Sequence, residues 1–577
     1  MSQRVLSYIL LSLIVWTSCT TPKLSQAPEN LNENLNRPRF ADRKRDTIVY
    51  PYRAAKKQTN DILHTKLAVR FDWDSLAVIG QAHLQIKPYF YATSKLTLDA
   101  KGFDIHEIAL IEANKKTPLS FKYDSLQLHI ELPKVYTKDE TYTVFIDYTA
   151  LPDRLIEQND YITYDNKGLY FINADNSHPS KPKQIWTQGE TEANSCWFPT
   201  IDSPNERFTQ EVSITVQPQY VTLSNGKLMD SKVNENGTRT DTWKQTLDHS
   251  PYLVALVVGE YAMVKDKWRD IEVNYYVEKE YEPYAKEIYG NTIEMLDFFS
   301  DIFQYDYPWE QYAQIAVRDY VAGAMENTGA VIYYDGVQRT GKELLDADNE
   351  DIVAHELVHH WFGDLVTAES WSNLPLNEAL ATYGEYLWFE HKYGKQEADY
   401  HLMKDLSAYL SEAQIKQEPI FRFHYADRED MFDRHSYQKG GRVMHLLRNY
   451  IGDEAFFESI RLYLKDNAFQ AVEIHNLRLA FEEITGEDLN WFFNQWFLTK
   501  GHPSIEINQQ YNPEKQLQEI TVIQTQEGIV FRLPLMVDIY HADGSKERKK
   551  INVTKKNQTF SFSVAAAPKL VNVDADK

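Results

Sequence analysis

Hydrophobic periodicity changes twice along the chain, and that double change limits the fold more than any other feature. Between about residues 60 and 265, short β-rich or alternating runs follow one another: Leu67 to Trp73, Ala82 to Ile86, Leu96 to Leu98, Tyr142 to Tyr148, Val212 to Val216 and Tyr252 to Val258. Asn225-Gly226 and Asn236-Gly237 lie between such runs as hairpin-type turns, so this block reads as all-β. From Glu280 to Lys500 the spacing becomes helical, as in Ala285 to Ile302, Asp351 to Phe362, Leu376 to Tyr393 and Val443 to Tyr450. After Gly501 and Pro503 strand patterns return at Ile505 to Asn508, Ile520 to Gln524, Leu533 to Tyr540 and Phe560 to Val564, enough for a small β-sandwich. A multidomain α+β protein is expected, and 577 residues at roughly 150 per domain accommodate the three blocks.

The N-terminus reads as an address. Arg4 precedes the apolar run Val5 to Trp16, which ends in Thr17, Ser18 and Cys19. That run is short of the ~20 residues a membrane-spanning helix needs, so residues 1–18 are expected to be a signal peptide. Thr-Ser-Cys resembles a bacterial lipobox, although Trp16 stands where that pattern usually has leucine. Cys19 is then the lipidated first residue of the mature chain, with simple secretion as the alternative. Residues 19–58 form the lipidated tether, polar and Pro-interrupted up to about Arg45. The expected location is the bacterial cell envelope, in the periplasm or at the cell surface. The only other cysteine, Cys196, reads as a small buried hydrophobe, so no structural disulfide is expected. With 61 Lys and Arg against 84 Asp and Glu, the net charge of -23 offers no basic field for nucleic acid.

Chemistry concentrates in the helical block. His355-Glu356-Leu357-Val358-His359 puts two imidazoles four residues apart, on one helix face and able to converge on one ion. This motif alone favours zinc without settling it. Eighteen residues after His359, Glu378 opens the next helical stretch just past Pro375. Antiparallel helices would bring it beside the histidines as third ligand. Two imidazoles and one carboxylate leave Zn²⁺ an open position for water, the catalytic arrangement; oxygen-only Ca²⁺ or Mg²⁺ sites fit the donors poorly. Glu356, offset around the helix, can face that water as general base.

HExxH with this spacer, together with Gly323-Ala324-Met325-Glu326-Asn327, resembles the aminopeptidase N and leukotriene hydrolase family of zinc metallopeptidases. Neighbouring segments agree. Trp361-Phe362-Gly363-Asp364 resembles the family's sequence after the zinc helix, which often has Asn where this chain has Asp364. Thr187-Gln188-Gly189-Glu190, Trp197-Phe198-Pro199, Asp202, Pro204 and Arg207 resemble its substrate-facing N-terminal segment. Tyr437-Gln438-Lys439-Gly440 and Asn494-Gln495-Trp496 match later elements. The resemblance covers about residues 60 to 577. It implies a saddle-like N-terminal β domain (59–268), a thermolysin-like catalytic α domain (269–500) and a small C-terminal β-sandwich (501–577).

The resemblance also implies roles. One zinc ion per chain would sit on His355, His359 and Glu378, with Glu356 catalytic and Tyr437 donating to the oxyanion. Gln188, Glu190 and Glu326 would hold a free α-ammonium, while the Gly323 to Asn327 segment borders the substrate as a strand edge. Ala322 and Phe432 fall where the family lines the pocket for the first side chain, with apolar or basic residues expected there. The implied activity is zinc-dependent release of N-terminal residues from peptides with a free N-terminus, by attack of a metal-activated water on the first peptide bond. Two alternatives stay open. One is an epoxide hydrolase of leukotriene type, disfavoured by Phe432 where members of that type carry Tyr. The other is a non-catalytic peptide-binding lipoprotein, disfavoured by the complete catalytic set.

Overall fold

The computed structural model describes residues 50–113, 115–158 and 166–576; the signal segment, Cys19 and the chain to residue 49 lie outside the described residues. The N-terminal block is β-rich. Asn60–Asp72 and Ala77–Pro88 form the antiparallel centre of an eight-stranded sheet, and Asn60–Asp72 also pairs in parallel with Phe208–Val216. Burial alternates along Phe208–Val216, as a strand with one covered face requires. A four-stranded sheet containing Gln184–Thr187 then delivers the loop at Gln188 toward the helical block. Asn236-Gly237 closes the hairpin between Lys227–Val233 and Arg239–His249, as expected. The run Tyr252 to Val258 is only partly strand: Pro251–Leu253 is a 3-10 turn and pairing starts at Leu256. Asn194 explains the difference, because its side-chain amide donates to the Pro251 and Val254 carbonyls and diverts them from a ladder.

The helical block begins with a sheet that the periodicity does not reveal. Ala262–Trp268, Ile271–Val277, Gln311–Val317, Ala330–Tyr334 and Ala324–Met325 lie side by side in that order. Every residue of Gln311–Val317 is buried, so no alternation marks it as a strand. Ala262–Trp268 pairs antiparallel with Ile271–Val277, so a boundary at 268/269 would cut a hairpin; the change of block falls before Ala262. The segment Ala285 to Ile302 breaks into Ala285–Ile288 and Thr292–Phe303, with Asn291 between them at φ 62°.

Two helices carry most of the site: Glu350–Val358 and Pro375–Tyr393. After Gly501 come two three-stranded sheets, Ile505–Asn512 with Leu517–Gln524 and Asn557–Ser563, and Lys546–Val553 with Leu533–Tyr540 and Leu570–Val573. Their inward side chains, among them Val522, Val537 and Ile551, share one apolar cluster with the helices. Residues 50–58, counted with the tether on sequence grounds, are fastened to the body. The Arg53 amide donates to the Phe423 carbonyl at 2.7 Å, the Ser372 hydroxyl donates to the Arg53 carbonyl at 3.0 Å, and Lys56 pairs with Asp99 at 2.6 Å.

Candidate active site

The Glu350–Val358 helix starts where Asn349 donates to the Ile288 and Val337 carbonyls, and Glu350 and Asp351 place negative charge on its positive end. Val353, Ala354, Leu357 and Val358 are buried, which turns His355 and Glu356 toward a cavity of about 710 Å³. His359 stands at the last turn. The chain then folds back at Gly363, whose φ of 140° suits glycine and where a Cβ would meet His359 Nδ1 at 3.2 Å. Pro375 occupies the first turn of the next helix, and Glu378 follows one turn later on its buried face.

Three acceptor atoms converge. His359 Nδ1 lies 3.0 Å from the Phe362 carbonyl, which can only accept, so the ring proton sits on Nδ1. His355 Nδ1 likewise donates to Glu385 Oε1 at 2.8 Å. With the protons held on Nδ1, a neutral form of each ring presents an Nε2 lone pair, and the two Nε2 atoms lie 3.0 Å from each other and 3.3 and 3.4 Å from Glu378 Oε2. That carboxylate oxygen is buried and has no hydrogen-bond partner among the described residues. Three lone pairs facing one point repel unless a cation sits among them, and two imidazoles with a carboxylate are a zinc donor set. The electrostatics agree. Burial alone would lower His359, but the carboxylates of Glu326 and Glu378 override it and raise its pKa to about 9, a site that attracts positive charge.

Around this triad the cavity is acidic. Burial pushes Glu356 up to about 8 against the opposing influence of the two imidazoles, and its Oε2 has no partner. Glu190 and Glu326 each offer a carboxylate oxygen within 4.8 Å of one on Glu378. Burial first, then neighbouring carboxylates, raises Glu190 well above its ordinary range, and its Oε1 is likewise unpartnered. Tyr252 donates to Glu326 Oε1 at 3.4 Å. Tyr437 borders the cavity within a π-helical turn, His435–Lys439. Burial, reinforced by Glu378 and Glu190, holds its phenol protonated.

Other residues singled out in the sequence divide between the cavity and its support. Gln188, Ala322, Gly323, Ala324 and Phe432 line the cavity with the groups above. Gln188 is oriented by the Tyr320 hydroxyl and donates to Met325 Sδ at 3.2 Å. Ala324–Met325 is the edge strand of the five-stranded sheet, paired on one side only. Met325 and Asn327 stand behind that wall. Met325 packs with Tyr252, Leu253 and Trp371, and Asn327 donates to the Leu253 carbonyl at 3.3 Å. Both brace the edge rather than face a ligand.

Trp197 and Phe198 are likewise core residues, and Arg207 ties the loop to the Asp248 and Asp364 carbonyls, so of the substrate-facing segment only Gln188 and Glu190 reach the cavity. Gly189 is required between them: a Cβ there would meet the Tyr252 carbonyl oxygen at 2.3 Å. Asp364 is fully buried, and burial first, with Glu326 adding to it, raises its carboxyl well above the ordinary range.

Glu385 and His401 escaped the sequence reading. Glu385 is seven residues after Glu378 on the same helix, a two-turn spacing that could have flagged it. It bridges His355 to His401 Nε2, also at 2.8 Å. Nothing in the sequence pointed to His401.

Known proteins resemble this chain in sequence and fold. The peptidase M1 N-terminal domain model matches residues 61–253 and the peptidase family M1 domain model residues 288–496. Aminopeptidase M1 of Arabidopsis thaliana is 29% identical over 400 residues, 67% of this chain and 45% of the plant protein. Aminopeptidase 2 of Candida albicans is 26% identical over 470 residues, 78% of this chain and 48% of its own length. The chain thus spans less than half the length of these curated relatives. Among solved structures, Legionella pneumophila aminopeptidase A in complex with aspartic acid superposes with a TM-score of 0.75 at 20% identity, covering 90% of this chain and 59% of that one, which shows a common fold. With both models matched in order, and the triad helices inside the second, the chain belongs to the M1 peptidase family.

Proposed function

We propose that this chain is a zinc-dependent aminopeptidase that hydrolyses the first peptide bond of peptides with a free N-terminus. One observation carries the reading: Glu190 and Glu326 bring carboxylate oxygens within 4.8 Å of Glu378, itself a member of the His355, His359 and Glu378 triad. An ammonium held by the first pair then lies one residue's length from the triad, which selects the terminal bond.

When bound, zinc supplies Lewis acidity at the open side of the triad. Glu356 takes a proton from the attacking water onto its carboxylate and delivers it to the departing amine. Tyr437, kept protonated by its surroundings, donates to the carbonyl oxygen as negative charge builds there. Glu190 and Glu326 accept from the α-ammonium, and a blocked amine would leave them buried and unpaired. The open side of this edge strand offers backbone groups at Ala324 to an extended substrate, next to Gly323, whose carbonyl accepts from the Tyr334 amide at 3.0 Å. Hydrolysis of aminoacyl anilides tests the reading. The free-amine compounds should be cleaved, the N-acetylated ones not, and chelation should abolish cleavage until zinc is restored. Equal rates on both compounds would contradict it.

Signal cleavage before Cys19, its lipidation and residence in the cell envelope belong to the same proposal; the lipobox-like Thr17-Ser18-Cys19 supports them. No helix of the described residues is long and apolar enough to cross a membrane. Intact mass of the mature N-terminal peptide decides the point: acylation adds several hundred daltons to a peptide starting at Cys19, and an unmodified cysteine there contradicts it.

A further inference from the structure

A second cavity, of about 340 Å³, lies at the joint between the helical block and the C-terminal sheets. Its walls come from the helices Lys395–Ala413 and Gly440–Ile451, the turn at His502 and Pro503, and the strand Leu533–Tyr540. Leu406, Val443, Leu446, Leu533, Leu535 and Met536 make most of that wall apolar. Protein interiors pack closely, and a cavity of this size among aliphatic side chains is one that an apolar group can enter. It shares no lining residue with the cavity of the metal triad.

One cation in this wall lacks a counter-charge. Lys439 lines the cavity although the residue is only 4% exposed. Its ammonium donates to the Gly501 carbonyl at 2.8 Å and lies 5.4 Å from the centre of the Tyr409 ring. An ammonium has three donors, and no carboxylate of the described residues comes within ion-pair distance of this one. Asp433, the carboxylate that acts on it from further off, is committed to Arg422 at 2.6 Å and to Lys416. Burial draws Lys439 from 10.5 down to about 8 against the pull of Asp433, so it stays mostly protonated at neutral pH. The other cations of the wall are engaged: Arg442 donates to the Leu402 carbonyl at 2.6 Å and Lys550 to the Tyr450 carbonyl at 3.4 Å. Of its two carboxylates, Asp576 pairs with Arg548 at 2.8 Å, and burial raises Asp574 above its ordinary range.

A buried ammonium beside aliphatic walls asks for a ligand with an anionic head and an apolar body. We propose that this cavity binds a fatty acid of medium chain length, its carboxylate on Lys439 and its tail among the leucines. A cavity of this volume is at the small end for ligand sites and suits roughly a dozen non-hydrogen atoms, a saturated chain of about ten carbons. The carboxylate gives the ammonium charge-assisted hydrogen bonds, and the tail leaves water for an apolar wall. The inference stands apart from the aminopeptidase reading, because no residue of the triad cavity takes part.

Calorimetric titration of the full chain with decanoate and with decanol, at concentrations where neither aggregates, tests it. The alcohol has the same tail without the charge. One decanoate should bind per chain, with an affinity about tenfold higher than that of decanol, and Lys439→Met should reduce that preference to about one. Leu406 is half-buried, so Leu406→Trp places an indole in the apolar part of the cavity without recasting the core, and neither ligand should then bind. Should Lys439→Met fail to fold, Leu406→Trp and the alcohol comparison keep the test complete. The inference is overturned by the absence of saturable decanoate binding, by equal affinities for acid and alcohol in the unmodified protein, or by decanoate binding that is unchanged in Leu406→Trp or in folded Lys439→Met.

Discussion

The phenol ring of Tyr437 lies parallel to the imidazole of His355, with centroids 5.9 Å apart and planes inclined by 10°. The stack fixes the hydroxyl beside the triad while leaving it free to donate. Tyr437→Phe keeps the ring and removes only the donor. A fall in kcat of about 10²- to 10³-fold is expected, with KM and zinc content little changed. Steady-state kinetics with metal analysis checks this, and an unchanged kcat would remove Tyr437 from the reaction.

Glu356→Gln keeps the shape of the side chain and abolishes its basicity. Turnover should drop by about 10²- to 10⁴-fold while one zinc per chain remains bound, because Glu356 is not a member of the triad. Loss of the metal would instead make Glu356 a ligand.

Glu385 fixes the proton of His355 on Nδ1 and so keeps Nε2 available. Removing such an outer partner weakens metal affinity by about 10- to 100-fold. Competition between Glu385→Ala and a fluorescent chelator should show zinc released at correspondingly lower chelator concentration. Identical retention would leave His355 oriented by packing alone.

Stability should fall in acid through His249. This imidazole is fully buried, with burial first and the Arg207 guanidinium second lowering its pKa from 6.5 to about 3. Its Nε2 donates to Gln210 Oε1 at 3.2 Å. Between those two pH values the unfolded chain binds a proton that the native protein refuses, so stability declines as pH drops below 6.5. At pH 5 the loss is about 2 kcal/mol. Thermal melts of His249→Gln should show a smaller decrease in Tm from pH 7 to pH 5 than the unsubstituted protein, and parallel decreases would contradict the assignment.

Local spacing made part of the site readable. His355, Glu356 and His359 needed only the helical repeat, and Glu378 needed a helix start marked by Pro375. Short strands were legible where one face is covered and the other wet, as in Phe208–Val216, and illegible where both faces are buried, as in Gln311–Val317. Motif membership overstated direct contact. Met325 and Asn327 sit between Ala324 or Glu326 neighbours that line the cavity, but successive side chains of an extended segment point to opposite faces, so they turn inward.

What the sequence determined by itself was the order of β, helical and β blocks and the presence of two imidazoles and a carboxylate at metal-binding spacing, because hydrophobic period and helical pitch are local properties. Only the tertiary structure decided that Glu190, Glu326 and Glu429 share a cavity with that triad, and that His401 stands behind Glu385. Those residues come from a β-domain loop, a sheet edge, a turn and another helix. Packing brings them together over separations of tens to hundreds of residues, and no periodicity in the chain encodes a contact at that range.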